Sequence, residues 1–253
     1  MSQFLITNKT VNFAKNQIVI TKDEQDFKHI FKVHRAKIGE KINLLDELSN
    51  QYLAEIIEIN LDFAVLNILE IKKFDRTQKE IFTLYQCLPK LNKMDMIIEK
   101  AVELGVDKIV PVLSENVIVQ LDEKSKKHKQ NRWQEIVISA VKQSENPVIT
   151  EIAEPMKFDQ VLKFFSKECL NLNLIGWEKG DKNLRAILET AKAAKNTKNI
   201  NLLVGAEGGF SAAEMENAVK NGWQDFRLKG NILRAETAPI VLISIVKYEL
   251  GLL

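Results

Sequence analysis

Residues 1–73 carry their apolar positions in short, alternating runs. Segments 4–6, 17–20, 41–45, 52–59 and 63–71 read as short strands, and 23–31 reads as a short helix. Many short strands with one helix predict a small barrel. Residues 74–80 are polar and aperiodic and read as a linker. Beyond them the period changes. Strands are expected at 81–88, 108–112, 148–152, 172–177, 200–204 and 223–228. Between them lie helical patterns at 92–104, 122–144, 158–168, 183–195 and from Ser211 to Asn221-Gly222. In the first of these, Met94, Ile97, Ile98, Ala101 and Leu104 share a face, with Gly105 as the stop. This alternation predicts an α/β domain: a mainly parallel sheet covered by helices on both faces. The domains are therefore expected at 1–73 and 74–253. A last helix has Pro239 in its first turn. Ile240, Val241, Leu242, Ile243, Ile245 and Val246 make it apolar on nearly every side, which predicts burial.

Composition narrows the function classes. At 253 residues and 45% hydrophobic, the chain can bury a sizeable core, and a net charge of +2 gives no extreme basic signal. Cys87 and Cys169 lie in apolar runs and read as small core residues in a reducing compartment. His29, His34 and His128 form no pair, and no metal-ligand spacing exists, so no metal is expected. There is no 18-residue apolar run and no signal peptide, so a cytoplasmic protein with no membrane association is expected.

Two loops near the end carry the candidate chemistry. The first, Gly205-Ala206-Glu207-Gly208-Gly209-Phe210-Ser211, follows a buried strand and precedes a capping box, Ser211 to Glu214. Its glycines permit a tight turn and close approach of a ligand to the backbone. It lacks the Lys-Ser/Thr of a phosphate loop and the G-x-G-x-x-G spacing of dinucleotide sites. Glu207 would repel a pyrophosphate, so a nucleoside without phosphate fits better, beside the plain alternative of a glycine turn at a helix start. The second loop runs through Leu228-Lys229-Gly230-Asn231-Ile232-Leu233-Arg234-Ala235-Glu236-Thr237-Ala238-Pro239. It sets Arg234, Glu236 and Thr237 at the mouth of the apolar helix. A structural ion pair is the alternative there.

The two loops, in this order and spacing, resemble the paired signature of the RsmE family, the small-subunit ribosomal RNA uridine-N3 methyltransferases. That family belongs to the SPOUT class, whose C-terminal region forms a trefoil knot. Connection rules alone would predict an unknotted, doubly wound sheet, so the knot is implied only by the resemblance. At the N-terminal end, His29-Ile30-Phe31-Lys32-Val33-His34-Arg35 followed by Ile38-Gly39-Glu40-Lys41-Ile42 resembles the family's PUA-like RNA-binding domain. The resemblance implies S-adenosylmethionine as methyl donor, 16S rRNA of the small ribosomal subunit as target, and a homodimer. It implies catalytic roles for Arg234, Glu236 and Thr237. It implies a donor pocket from Ile175, Gly176 and Glu178, from Val204, Gly205, Glu207, Gly208 and Gly209, and from Leu228, Gly230, Ile232, Leu233 and Ala238. Matching positions for RNA contact are Arg35, Lys93, Lys100, Arg132 and Gln143.

The chain departs from the family pattern in places. Gln3, Asn116, Asn146 and Asn231 stand where arginines are usual, and neutral amides cannot replace arginine in gripping an anion. Ala206 replaces a proline and Ala235 a threonine. The chemistry implied is proton loss from uracil N3 with methyl transfer. Removing a proton of pKa roughly 9–10 near pH 7 costs about 3–4 kcal/mol. A fixed cation beside the base, Arg234, would stabilise the anion, and Glu236 would accept the proton or orient Arg234. Two other classes remain: a non-catalytic RNA-binding or assembly protein of the same fold, and a different nucleoside-handling enzyme with the same glycine loop.

Overall fold

A computed structural model describes residues 3–24, 26–74, 80–117, 122–163 and 171–253, with only the backbone at 123 and 124. The chain divides into two units: Met1–Thr77 with Val141–Ile149, and Gln78–Ala140 with Thr150–Leu253.

The first unit is a six-stranded mixed sheet. Its strands are β1 (Gln3–Ile6), β2 (Val11–Asn12), β3 (Gln17–Thr21), β4 (Lys41–Asp46), β5 (Gln51–Ile59) and β6 (Phe63–Lys72). The order is β1-β4-β5-β6-β3-β2, with β1 parallel to β4 and the other pairs antiparallel. The expected barrel is thus a curled sheet, with no ladder joining β1 to β2 among the described residues. Period-two burial along β3 to β6 sends Ile18, Ile20, Ile42, Leu44, Tyr52, Ala54, Ile56, Ala64 and Leu66 into one core.

The short helix expected at 23–31 is displaced. Helical residues run from 27 to 33, ending in a wide turn at His29–Val33, where His34 N–H donates to His29 O, five residues back (2.8 Å). The buried Asp26 side chain accepts from Leu5 N–H (2.6 Å) and pairs with the Lys142 ammonium (2.5 Å). Gln3 Nε2 donates to Asn146 O (3.1 Å), so two of the positions that depart from the family pattern are tied together.

The second unit holds a parallel sheet. Its strands are β7 (Ile81–Cys87), β8 (Lys108–Leu113), β9 (Glu151–Ile152), β10 (Met156–Lys157), β11 (Asn171–Gly176), β12 (Asn199–Val204) and β13 (Gln224–Phe226). The order is β10-β8-β7-β12-β11-β13, with β9 also on β8, and every pairing is parallel. The helices are α1 (Lys93–Glu103), α2 (Glu123–Ser144, whose last turn, from Val141, belongs to the first unit), α3 (Phe158–Lys163), α4 (Leu184–Ala194), α5 (Ala212–Lys220) and α6 (Thr237–Leu250). On one side of the sheet Tyr85, Cys87, Val110, Val112, Ile175 and Leu203 pack with α3, α5 and Trp223. On the other, α6 lies against α1, α4 and β12. The central strands are therefore buried on both faces, as their near-continuous apolar runs predict.

Boundaries moved where the local signal was weak. The strand expected at 148–152 shrinks to two residues, Glu151–Ile152, with Val148 N–H turned to Asn146 Oδ1 (3.0 Å) instead of a ladder. The strand at 223–228 shrinks to three, with Trp223 turned into the core. In α1 the buried face contains Val102, while Leu104 is only half-buried. Between β11 and β12 an amide ladder runs through the sheet: Asn199 Nδ2 donates to Asn171 Oδ1, and Asn201 Nδ2 to Asn173 Oδ1 (both 2.8 Å). The expectation that α6 is buried all round is corrected. Pro239, Leu242, Ile243 and Val246 are buried, but Ile240, Val241 and Ile245 are half-exposed and Tyr248 is 74% exposed.

Cys87 is fully buried, and desolvation pushes its thiol up to about 12. Its thiol therefore stays protonated throughout the neutral range. In native protein at pH 8, Cys87 is expected to resist iodoacetamide and to react only after unfolding, as read by peptide mass spectrometry. Cys169 and the outer part of the helix expected at 158–168 lie outside the described residues.

Candidate active site

In a parallel sheet every strand ends on the same side, and ligands gather there. The register sets Phe226, Gly176, Val204 and Gln86 side by side at the ends of β13, β11, β12 and β7. The loops that follow β11, β12 and β13 are the three expected to form the donor pocket.

After β12 the chain turns sharply. Gly209 adopts φ +59°, and its N–H donates to Ala206 O (2.9 Å). Ser211 and Glu214 then form the expected capping box at the start of α5. Gly208 is required by packing, since a Cβ there would lie 2.8 Å from Asn116 Cβ. Asn116 Nδ2 donates to Gly208 O (2.9 Å) and more weakly to Gly209 O (3.5 Å). An amide at this position thus holds the glycine loop, which the sequence reading missed. Gly208→Ala is expected to displace the loop from Asn116 and weaken donor binding about 10-fold, a loss comparable to one strained or broken contact. Titration calorimetry checks it.

Beneath the loop lies another missed residue. Gln86 is buried, and its Nε2 donates to Cys87 O (2.9 Å) and to Gly205 O (3.5 Å). A glutamine inside the apolar run 81–88 was the available signal.

Three carboxylate and ammonium groups meet at the mouth. Lys93 opens α1, and its Nζ lies 2.9 Å from Glu207 Oε1 and 3.0 Å from Glu236 Oε2. The first is a hydrogen bond, whereas the second is an ion pair without hydrogen-bond alignment. Lys90 N–H adds donors to Glu207 Oε1 (3.3 Å) and Oε2 (3.1 Å). Burial works to raise the Glu207 carboxyl, but the Lys93 ammonium and backbone N–H groups hold it below the usual carboxylate range. Lys93, with a smaller effect from Arg234, does the same to Glu236. Both carboxylates in turn push Lys93 up.

Arg234 is exposed, and its guanidinium makes no ion pair or hydrogen bond among the described residues. Its carbonyl accepts from Thr237 N and Ala238 N (both 2.9 Å), which starts α6. Thr237 and Ala238 are half-buried at the first positions of that helix. Among the candidate donor residues, Ile175 and Val204 are buried strand ends that can offer only backbone. Gly176 lies against Leu242 and Phe226. Glu178 is exposed, with its carboxylate oxygens 3.6 and 3.7 Å from where a Gly209 Cβ would sit. Leu228 and Leu233 are half-buried, while Gly230 and Ile232 are exposed.

The candidate RNA residues are spread over both units. Arg35 is exposed in the first unit with φ +58°, at the end of the helical turn, and Gln143 is exposed on α2. In the second unit Arg132 pairs with Asp95, and Lys100 pairs with Glu103 (2.8 Å) and Glu99 (2.7 Å). Lys93 is engaged as described. A cleft of about 430 Å³ lined by Asn171, Asn183, Thr190 and Gln224 lies at the opposite, amino end of β11 and β13. A smaller one of about 140 Å³, lined by Leu88, Lys90, Asn116, Ala206, Glu207 and Gly208, adjoins the glycine loop. The described residues contain no cluster suited to a metal ion and no helix long and apolar enough to cross a membrane.

Comparison with known proteins agrees with this geometry. An RNA methyltransferase domain matches residues 76–247, and an RNA methyltransferase PUA domain matches 22–69. Ribosomal RNA small subunit methyltransferase E of Aquifex aeolicus is 30% identical, over 88% of this chain and 91% of its own. The protein of that name from Bacillus subtilis is 26% identical over 90% of each. A solved structure of ribosomal RNA small subunit methyltransferase E from Neisseria gonorrhoeae, bound to S-adenosyl methionine, is 28% identical. It superposes with a TM-score of 0.79 over 98% of this chain and 97% of that one. The loops that follow β12 and β13, the fold that brings them together and these relatives agree: the chain belongs to the RNA methyltransferase family that includes ribosomal RNA small subunit methyltransferase E.

Proposed function

We propose that this protein transfers a methyl group from S-adenosylmethionine to N3 of one uridine in 16S rRNA of the small ribosomal subunit. The observation that carries the reading is the ionic link, through Lys93, between the glycine loop after β12 and the Arg234–Thr237 loop after β13, two parallel strands that flank β11.

The residues fit the donor. The loops around it are glycine-rich or apolar, and the side chains of Ile175 and Val204 are turned into the core, which leaves backbone groups to face a ligand. Gly176, Glu178, Gly205, Gly208, Gly209, Leu228, Gly230, Ile232, Leu233 and Ala238 are the residues proposed to hold it. When bound, S-adenosylmethionine supplies an activated methyl group on a sulfonium. The chain's own groups handle the acceptor. Arg234, with a guanidinium uncommitted among the described residues, stabilises negative charge on the uracil. Glu236, held deprotonated beside Lys93, accepts the N3 proton or orients Arg234. Thr237 offers a hydroxyl to the base or the donor.

The first unit, with exposed Arg35 and Gln143, serves as the RNA-binding domain, and Lys100 and Arg132 are further proposed RNA contacts of the second unit. We read residues 1–73 and 74–253 as the two functional domains, and the C-terminal region as a trefoil knot. Support for the knot comes from family membership and from β12 returning between β7 and β11 before the chain moves out to β13. The half-exposed outer face of α6, with Ile240, Val241, Ile245 and Tyr248, fits a homodimer interface. Sedimentation equilibrium is expected to show a dimer that Ile245→Asp converts to monomer. The setting is the cytoplasm, where the substrate is made.

The test uses small ribosomal subunits from cells lacking this gene and a labelled methyl donor. Mass spectrometry of RNA fragments locates the label. Label at N3 of one uridine supports the reading. Donor binding without label points to another target, and neither binding nor label points to a non-catalytic RNA-binding protein.

A further inference from the structure

Lys93 was expected among the RNA contacts, yet its ammonium is already committed within the protein. It reaches Glu207 of the glycine loop and Glu236 of the Arg234 loop at 2.9 and 3.0 Å. We propose that Lys93 is a positioning residue, an ionic clasp that sets the donor-side loop and the proton-accepting loop relative to each other. The proposal rests on the reading of Glu236 and Arg234 as the reacting site.

Three features favour a clasp over a phosphate contact. First, Lys93 sits at the start of α1, whose positive end also attracts the two carboxylates. Second, the three side chains are partly shielded, at 29% exposure for Lys93, 27% for Glu207 and 14% for Glu236, so their attraction is screened less than at an open surface. Third, Lys90 N–H, on the short connection between β7 and α1 just before Lys93, also holds Glu207, so the clasp has one preset jaw. To bind a phosphate, Lys93 would have to release both acids and leave them facing each other unpaired.

The charges around Glu236 decide what the clasp does. Lys93 faces it from α1, Glu207 lies across that ammonium on the glycine loop, and Arg234 is on its own loop. With Lys93 present, Glu236 is a carboxylate at neutral pH. Without Lys93, two carboxylates share one mouth, Glu236 takes a proton more readily, and Arg234 is drawn into the vacated ion pair and away from the base. With Lys93 in place the Glu236 carboxyl lies below its usual range, so activity that needs the carboxylate is lost as pH falls through that value. Removing Lys93 therefore moves the acid limb of the rate profile to higher pH.

The experiment compares wild-type protein with Lys93→Met, Lys93→Arg and Lys93→Met/Glu207→Gln. Small ribosomal subunits are the substrate, and donor binding is followed by calorimetry. Lys93→Met is expected to lower kcat about 10- to 100-fold, the range of a lost charge-assisted hydrogen bond. KM for RNA should change little and the acid limb should rise. Lys93→Arg should recover most of the rate. Removing the Glu207 charge in the double variant should recover part of it. A raised RNA KM with unchanged kcat and unchanged acid limb would make Lys93 a phosphate contact and overturn the clasp.

The carboxyl carbon shift of Glu236, followed by NMR, gives a readout independent of turnover. Glu236 should titrate at higher pH in Lys93→Met and at lower pH in Glu207→Gln, where Lys93 serves one acid alone. If Lys93→Met does not fold, an unchanged Glu236 titration in Glu207→Gln sinks the proposal. Wild-type turnover in both Arg234→Ala and Glu236→Gln would instead overturn the site reading, while the titration still decides whether the clasp exists.

Discussion

Arg234→Ala is expected to lower single-turnover methylation about 100- to 1000-fold, the cost of deleting one preorganised donor to a developing anion. Donor affinity should change less than about threefold, because the guanidinium reaches the acceptor side and backbone groups hold the donor. Folding should be unaffected. The Arg234 carbonyl that starts α6 remains, and the guanidinium has no partner among the described residues to lose. Arg234→Lys should recover only part of the rate, since a point charge cannot present two parallel donors to a flat base edge. Single-turnover assays beside calorimetry separate the two effects. Equal turnover in Arg234→Ala would remove Arg234 from the chemistry.

Lys247→Met is expected to lower stability by about 2–3 kcal/mol, with the melting temperature falling about 4–12 °C for a domain of this size. Lys247 is buried on α6, and its Nζ donates to Leu104 O (2.6 Å) and Gly105 O (2.8 Å). Those carbonyls lie where α1 ends and have no partner inside the helix. A cation there also meets the negative end of the helix dipole. Methionine keeps the packing of the stem but offers no donor, so two buried carbonyls lose a charged partner. Relief from burying an ammonium offsets part of the loss, which is why the expected cost stays below the sum of two charged hydrogen bonds. Calorimetric melting gives the answer, and an unchanged melting temperature would mean that water replaces the ammonium.

The contact joins the helix that begins at Lys93 to the helix that begins beside Glu236. Along the sequence α6 is apolar on nearly every side, and nothing local marks a role for Lys247. A lysine on such a helix is legible as an oddity, but its partners lie 142 and 143 residues away.

The difference between the two kinds of information runs along the same line throughout. Local signals were legible where one physical cause dominates. Ser211 and Glu214 formed their capping box, Gly105 and Gly222 took positive φ after their helices, and alternating apolar runs became buried parallel strands. The short helix expected at 23–31 formed a few residues later, at 27–33, and the Asp26 side chain beside it is committed to Lys142, 116 residues away. The glycine loop and the Arg234 loop were also legible, since their residue types and spacing are local.

Which groups share the mouth was not legible. Lys93, Glu207 and Glu236 looked like an RNA contact, a donor residue and a catalytic acid, and they form one ionic cluster. Asn116 looked like a lost arginine, and it holds the glycine loop through Gly208 O. The sequence by itself determined the strand and helix alternation, the two motif loops and the family. The tertiary structure decided the sheet order that brings those loops together, the clasp between them, and the open face of α6. Secondary structure and turns follow from neighbours along the chain, whereas the clasp at the mouth joins Lys93 to a carboxylate 114 residues away and Asn116 reaches its glycine 92 residues away.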